Sequence, residues 1–310
     1  MGATGITRVF PDLSDDLLLN LFHKGARAQW TSRDLDWTTA TTLSPRRRLA
    51  LARLLTPVYF GEQTAMAGAS RILPEVMAAG EATAQLYLAS FIMDEARHFE
   101  TLTRLYRSLG HDPLGLREMP ELLRYYHRIS QGDRADWVWG ILFSDLIGKH
   151  FYRAIGPKLT PADPFLGDLG SRILLDESRH LAFAEHYLRR NVARMEPARR
   201  RALIEMRDDL FRNLRAMTER VRADTAAFDV DADDFLGWVW SDVEVFGKRI
   251  GLADGRGDAG PPPPAAPLKF DGAAASPASL PDKAEKAEPI VARCFGCLLS
   301  LICARRLAPA

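Results

Sequence analysis

The sequence predicts an all-α bundle of long helices around a carboxylate core, and three observations carry that prediction. Apolar residues recur at helical spacing over long stretches, as in 81–109 with Leu86, Phe91, Ile92, Leu102, Leu105 and Leu109. No run of alternating β-branched residues bounded by turn residues reads as a strand. The pentapeptide pattern Asp-Glu-x-Arg-His occurs twice, each time in the middle of a long predicted helix.

Residues 1–43 read as a short helix around Asp15–Gln29 and then an extended stretch holding Trp30 and Trp37. Ser44-Pro45 opens the next helix, because serine caps well and proline suits the first turn. Pro57 interrupts it, and a second helix runs toward Ala79, with Pro74 expected to kink or split it. Gly110 stops the helix that follows, Glu81–Leu109. A shorter helix covers about Pro120–Gln131. Asp133 caps another that runs to about Ile155 and ends before Gly156-Pro157. Three more follow, over about Pro164–Met195, Pro197–Phe228 and Asp231–Ile250. Long helices with short connections argue for a bundle over 44–252. From about Ala253, Gly, Ala, Pro and Ser dominate, with four prolines at 261–264. Such a segment buries too little apolar surface to fold alone, so 253–310 is expected to be a disordered tail. It contains a short apolar patch, Cys294–Ala304.

The composition narrows the function classes. The 310 residues are 47% apolar and 26% charged, which is ordinary for a soluble globular protein, and the formal net charge of +1 gives no field to draw in nucleic acid or an acidic membrane. The three cysteines all lie in the last seventeen residues, which excludes a disulfide-built secreted fold. No signal-peptide h-region and no run of ~18 apolar residues is present, so a cytoplasmic protein is expected.

The two pentapeptides carry the chemistry. They are Asp94-Glu95-Ala96-Arg97-His98 and Asp176-Glu177-Ser178-Arg179-His180. Residues three apart share a helix face, so each Glu points with its His, and two such helices packed together aim two Glu and two His at one point. A dinuclear carboxylate site needs one further carboxylate from each of two other helices. Glu62 lies 33 residues before Glu95, and Asp145 lies 32 before Glu177. With seven His and fifteen Glu, a Glu three residues before some His is expected by chance about a third of a time, far short of two matched copies. The competing reading is a pair of salt-bridged helix faces, but burying Glu and His together without a metal or partner is costly. Oxygen and imidazole donors without thiolate suit Fe or Mn better than structural Zn or Cu(I). Asp94 and Asp176 are natural acceptors for the other N–H of the ligand histidines, Asp176 for His98 and Asp94 for His180. Arg97 and Arg179 are expected to form ion pairs around them.

The layout resembles the small subunit of class I ribonucleotide reductases, and more closely the ligand-binding oxidases related to it, over about residues 17–250. Phe60–Gly110 and Leu174–Val192 carry the resemblance, and Trp30 in Gln-Trp-Thr-Ser-Arg-Asp-Leu-Asp resembles a tryptophan that these proteins place beside the ligands. It implies a ferritin-like bundle, a homodimer, a metal pair (Mn and Fe, or two Fe) that reacts with dioxygen, and Glu95 and Glu177 as bridging ligands. In the oxidase branch a long-chain fatty acid lies beside the metals. Glu62 matches the oxidases, since reductase subunits usually carry Asp there.

The departures bear on activity. The position of the reductases' radical tyrosine, four after the first ligand His, is Leu102, and no Tyr follows Tyr187. The oxidases' valine–tyrosine cross-link matches Ala65 and Gly140, so it cannot form. Asp145 stands where the family generally has Glu. Lys149, one turn on, either enters the metal cavity or snorkels to solvent.

His150 and His186 fall off the ligand face and read as ordinary structural or surface histidines, while Trp137, Trp139, Trp238 and Trp240 read as core or interface residues. Cys294, Cys297 and Cys303 make a weak zinc pattern. The leading expectation is an oxidoreductase acting with dioxygen and an electron donor on a small apolar or amphipathic substrate. The alternatives are a reductase small subunit and a metal-binding protein without turnover.

Overall fold

The computed structural model describes residues 11–40, 42–159 and 163–252. The predicted tail and its cysteines lie outside the described residues. Helices α1 (Asp16–Arg27), α2 (Pro45–Leu54), α3 (Thr56–Ala78), α4 (Ala82–Leu109) and α5 (Pro120–Ser130) form the first half. Helices α6 (Arg134–Leu159), α7 (Pro164–Val192), α8 (Pro197–Arg220), α9 (Arg222–Thr225) and α10 (Ala232–Ile250) follow. Among the described residues there is no strand, and no helix is long and apolar enough to cross a membrane.

The helix ends follow their capping residues. Asp15, Ser44 and Asp163 accept from the backbone N–H of Leu18, Arg47 and Leu166 at 3.2, 3.4 and 3.2 Å. Asp133 accepts from Ala135 and Asp136, and the Asp136 carboxylate accepts from the Asp133 N–H in return. Gly110 ends α4 with a φ of 71°, which a side chain would disfavour.

Three local expectations are corrected. Pro74 does not split α3, which runs through it, because only the last turn lies beyond and a single backbone bond is forgone. The stop before Gly156-Pro157 does not occur either: α6 continues to Leu159, with Pro157 in its last turn. The stretch holding Trp30 and Trp37 is not simply extended. It makes two 3-10 turns, Ser32–Asp34 and Trp37–Thr39, capped by the side chains of Thr31 and Asp36.

The heart of the bundle is α3, α4, α6 and α7, with α3 packed along α4 and α6 along α7. Helix α1 lies across α4 and α7, α10 covers α6 and α7, and α5 rests on α8. Trp137, Trp139, Tyr87, Phe91 and Phe143 are fully buried between them, each large apolar side chain contributing about 1.5–3 kcal/mol of burial. Close packing is visible at Gly68, where an added Cβ would stand 1.9 Å from Trp137 Nε1. Trp240 is buried against Phe211, whereas Trp238 is 46% exposed.

Candidate metal centre

The four central helices each bring one part of the expected constellation to the same level. Glu62 comes from α3, Glu95 and His98 from α4, Asp145 from α6, and Glu177 and His180 from α7. The i,i+3 spacing turns each Glu and His of α4 and α7 inward together. All six are buried. Their donor atoms gather in two groups, Glu62–Glu95–His98–Glu177 and Asp145–Glu177–His180, with the atoms of each group within 4.8 Å of one another. Glu177 belongs to both. Glu95 reaches toward the second, its Oε1 lying 3.2 Å from His180 Nδ1.

The atoms that face inward meet one another and little else, with His98 Nδ1 3.4 Å from Glu62 Oε2 and His180 Nδ1 3.4 Å from Glu177 Oε2. His98 Nδ1, His180 Nδ1, Asp145 Oδ2 and Glu177 Oε2 are buried without a hydrogen bond. Unpaired buried polar atoms are rare in folded proteins because each costs about 1–3 kcal/mol, so a converging set of them points to an absent partner that accepts lone pairs. Charge gives the same answer. Glu62, Glu95, Asp145 and Glu177 carry four negative charges when ionised, which two divalent cations would neutralise. The donor set therefore fits two hard or borderline cations.

A second ring of charge surrounds this group and is neutral by itself. Asp94 and Asp176 face Arg97 and Arg179 across α4 and α7, with contacts of 2.6 Å (Arg97–Asp94), 2.9 Å (Arg97–Asp176), 2.8 Å (Arg179–Asp94) and 2.7 Å (Arg179–Asp176). The ring also holds the histidines. His98 Nε2 lies 3.0 Å from Asp176 Oδ2, and His180 Nε2 lies 3.4 Å from Asp94 Oδ2. Each pairing crosses between helices, which fixes both rings with Nδ1 turned to the cavity. Trp30 donates its Nε1–H to Asp176 at 2.9 Å and lies under the Arg97 guanidinium. Gln29, not anticipated from the sequence, accepts from Arg97 at 2.6 Å.

Without cations the inner group is electrostatically frustrated. Burial by itself would lower the pKa of both histidines. For His98 the Glu62 carboxylate and the Asp176 hydrogen bond outweigh it, and for His180 the Asp94 hydrogen bond and the nearby Glu177 carboxylate do, leaving each at about 10. Burial and neighbouring carboxylates push Glu95 and Asp145 well above the ordinary carboxylate range. Asp94 goes the other way, to about 2: burial raises it, but the His180 hydrogen bond and charge prevail.

Lys149 is not at the cavity. Its Nζ pairs with Asp242 of α10 at 2.5 Å, because four residues of α6 overshoot a full turn and carry it toward α10. His150 shares that carboxylate at 2.9 Å, and His186 pairs with Asp15 at 2.9 Å. Position 140 has no room for a side chain, since an added Cβ would stand 2.6 Å from Ile129.

A cavity opens on the carboxylates, with Glu62, Glu95, Asp145 and Glu177 on one side and Val58, Ala65, Ile141, Ile147 and Met217 among its apolar walls. Tyr152 also lines it, and sequence reasoning missed this residue. The available signal was its place seven residues, two helical turns, after Asp145 on the same face of α6. A second cavity shares Pro57, Val58, Ile147 and Met217 with the first and is otherwise almost wholly apolar. Leu102 lies fully buried beside a third, which Tyr152 also borders.

No family model matches the chain, and no curated protein matches it by sequence. Solved structures do match. An R2-like ligand-binding oxidase with aerobically reconstituted metal cofactor after photoconversion aligns at 17% identity and a TM-score of 0.64, over 76% of this chain and 94% of that one. The same kind of protein with an aerobically reconstituted Mn/Fe cofactor aligns at 18% identity and 0.64, over 81% and 99%. A single-residue variant with that cofactor aligns at 16% and 0.65, over 82% and 100%. This chain therefore has the all-α, ferritin-like fold of the R2-like ligand-binding oxidases.

Proposed function

We propose that this chain is an oxygen-activating oxidoreductase that uses two metal ions, Mn and Fe or two Fe. One observation carries the reading: Glu62, Glu95, His98, Asp145, Glu177 and His180 converge in two groups that share Glu177, with His98 Nδ1, His180 Nδ1, Asp145 Oδ2 and Glu177 Oε2 buried without a hydrogen bond. Glu62 and His98 would hold one ion and Asp145 and His180 the other, with Glu177 and Glu95 between them. The Mn/Fe cofactors named for structures of the same fold support this choice of metals. When bound, such a pair supplies reduction of dioxygen and the oxidising power drawn from it.

The protein's own residues do the rest. Asp94 and Asp176 hold the imidazoles as neutral Nδ1 donors through the N–H on Nε2. The Arg97–Arg179 pair neutralises those aspartates and keeps their charge away from the ions. The apolar walls exclude water from the open side, where a small apolar or amphipathic substrate fits beside the carboxylates. A reductase small subunit fits less well, because position 102 is a buried leucine.

The test is metal content and oxygen uptake of the full chain produced with both Fe and Mn. About two metals per chain, with oxygen consumed after reduction, is the expected result. A folded protein that cannot be loaded would refute the proposal. Glu95→Ala or His180→Ala should abolish both readouts.

A further inference from the structure

Gly156 and Gly170 have no conformational need to be glycine. They lie inside α6 and α7, and neither has a positive φ. Neither makes way for a closely packed neighbour: an added Cβ at Gly170 would meet only Tyr152 Cδ1, at 3.5 Å, and one at Gly156 would meet nothing within 4 Å. Glycine inside a helix is less stable than alanine, so both positions give up helix stability without gaining a contact. What they share is the third cavity, which both line. Its other walls are Leu102 and Leu105 of α4, Leu166 and Leu169 of α7, and Leu51 and Leu55, with Phe151, Tyr152 and Ile155 of α6. Tyr152 is the one lining residue with a polar side chain. A trapped water needs two to four polar partners, and the backbone groups of helix interiors are already bonded within their helices, so this space suits a small apolar molecule better than water. It is the smallest of the three cavities, and its lining residues other than Tyr152 and Gly156 are buried, which leaves no room for a ligand of chain length. It also lies close to the metal centre. Leu102 is one helical turn past His98, and Tyr152 borders the carboxylate cavity as well.

We propose that this third cavity is a dioxygen-binding pocket, held open by Gly156 and Gly170, from which the gas passes the Tyr152 side chain to the carboxylates. This rests on the dinuclear reading above, which makes dioxygen the co-substrate. Dioxygen is small, uncharged and a poor hydrogen-bond acceptor, so it loses little on leaving water and gains contact with the leucine walls. A pocket of this kind holds the gas one residue layer from the metal pair without placing a polar group or a water beside it.

The experiment uses the full chain and dioxygen itself as the probe. Dissolved dioxygen is paramagnetic and broadens the NMR signals of methyl groups it sits beside. In the metal-free chain with labelled leucine methyls, dioxygen should broaden Leu102, Leu105, Leu166 and Leu169, relative to nitrogen at the same pressure, more than Leu188 and Leu203, which are as deeply buried but line none of the three cavities. Gly170→Val fills the space from α7 and should abolish that difference. In the metal-loaded, reduced protein the same variant should keep the parent's metal content and raise KM for dioxygen about ten-fold, as for losing the burial of two methylene-sized groups. Gly170→Ala, which favours the helix, should move both readouts in the same direction by less and supplies the comparison where valine does not fold. Equal broadening of the two sets of leucines in the parent overturns the proposal. So does a KM for dioxygen that stays at the parent's value in the folded variants; in both cases the dinuclear reading stands. A parent that cannot be loaded with metal overturns the dinuclear reading, and the assignment of dioxygen to this pocket with it.

Discussion

Asp176→Asn tests how the outer ring of charge is balanced. The substitution keeps the size of the side chain but removes one of two negative charges that face two guanidiniums. Asp176 Oδ2 accepts from Trp30 at 2.9 Å and from Arg97 at 2.9 Å and lies 3.0 Å from His98, while Oδ1 accepts from Arg179 at 2.7 Å. Asp94, Arg97, Asp176 and Arg179 are all buried, so solvent screens little of the change. Removing one partner from a buried ion pair costs about 3–5 kcal/mol, because the remaining charge stays desolvated. In a domain of this size each kcal/mol lowers Tm by about 2–4 °C, so a drop of about 6–20 °C is expected for the metal-free protein. Metal affinity should fall about 10–100-fold as well, because His98 is left with at best a neutral, shared amide oxygen in place of the carboxylate that orients it. Thermal unfolding followed by circular dichroism, with competitive chelation for the metals, reads both effects. Adding Arg97→Met to Asp176→Asn should cost less than the sum of the single changes, since it removes the stranded positive charge. A Tm within 2 °C of the parent, or strictly additive single changes, would show that the ring does not balance as described.

Other outcomes follow from the same geometry. Asp145→Ala should leave about one metal per chain, whereas Glu177→Ala, which removes a residue common to both groups, should leave none tightly held; metal analysis after dialysis separates the two. In the metal-free protein, His98 and His180 have folded pKa values raised from 6.5 to about 10. Their contribution to stability is therefore fully present below about pH 6.5 and lost as the pH rises through about 10. Urea midpoints should decline over that window, and metal loading should remove the decline by holding both rings neutral. Gly68→Ala should destabilise by about 1–3 kcal/mol in urea unfolding, since its methyl would displace the buried Trp137 ring. Asp15→Asn should flatten the acid side of the stability curve: burial raises Asp15, but His186 and the Leu18 N–H lower it on balance, so its contribution is present above the unfolded carboxylate pKa and lost as pH falls.

Much of this was legible in the sequence for a physical reason. Helical spacing is local, so Glu95 with His98 and Glu177 with His180 had to share faces once their helices formed, and Ser44, Asp133 and Gly110 marked ends with side chains and backbone freedom that act within one turn. Burial also follows from repetition, because two carboxylate-bearing faces that match can shield each other only by meeting. What the sequence left undecided depends on azimuth and on partners far along the chain. Lys149 and Tyr152 lie on the same helix as Asp145, four and seven residues on, and a modest angular difference sends one to Asp242 and the other to the cavity. Pro157 reads as a stop, yet at the last turn of α6 its missing N–H costs a single bond. Ile129 filling the space beside Gly140, Gln29 joining Arg97, and the four wall residues shared by two cavities arise only when α3, α4, α5, α6, α8 and the segment after α1 are packed together, because each joins residues whose separation along the chain carries no periodic signal.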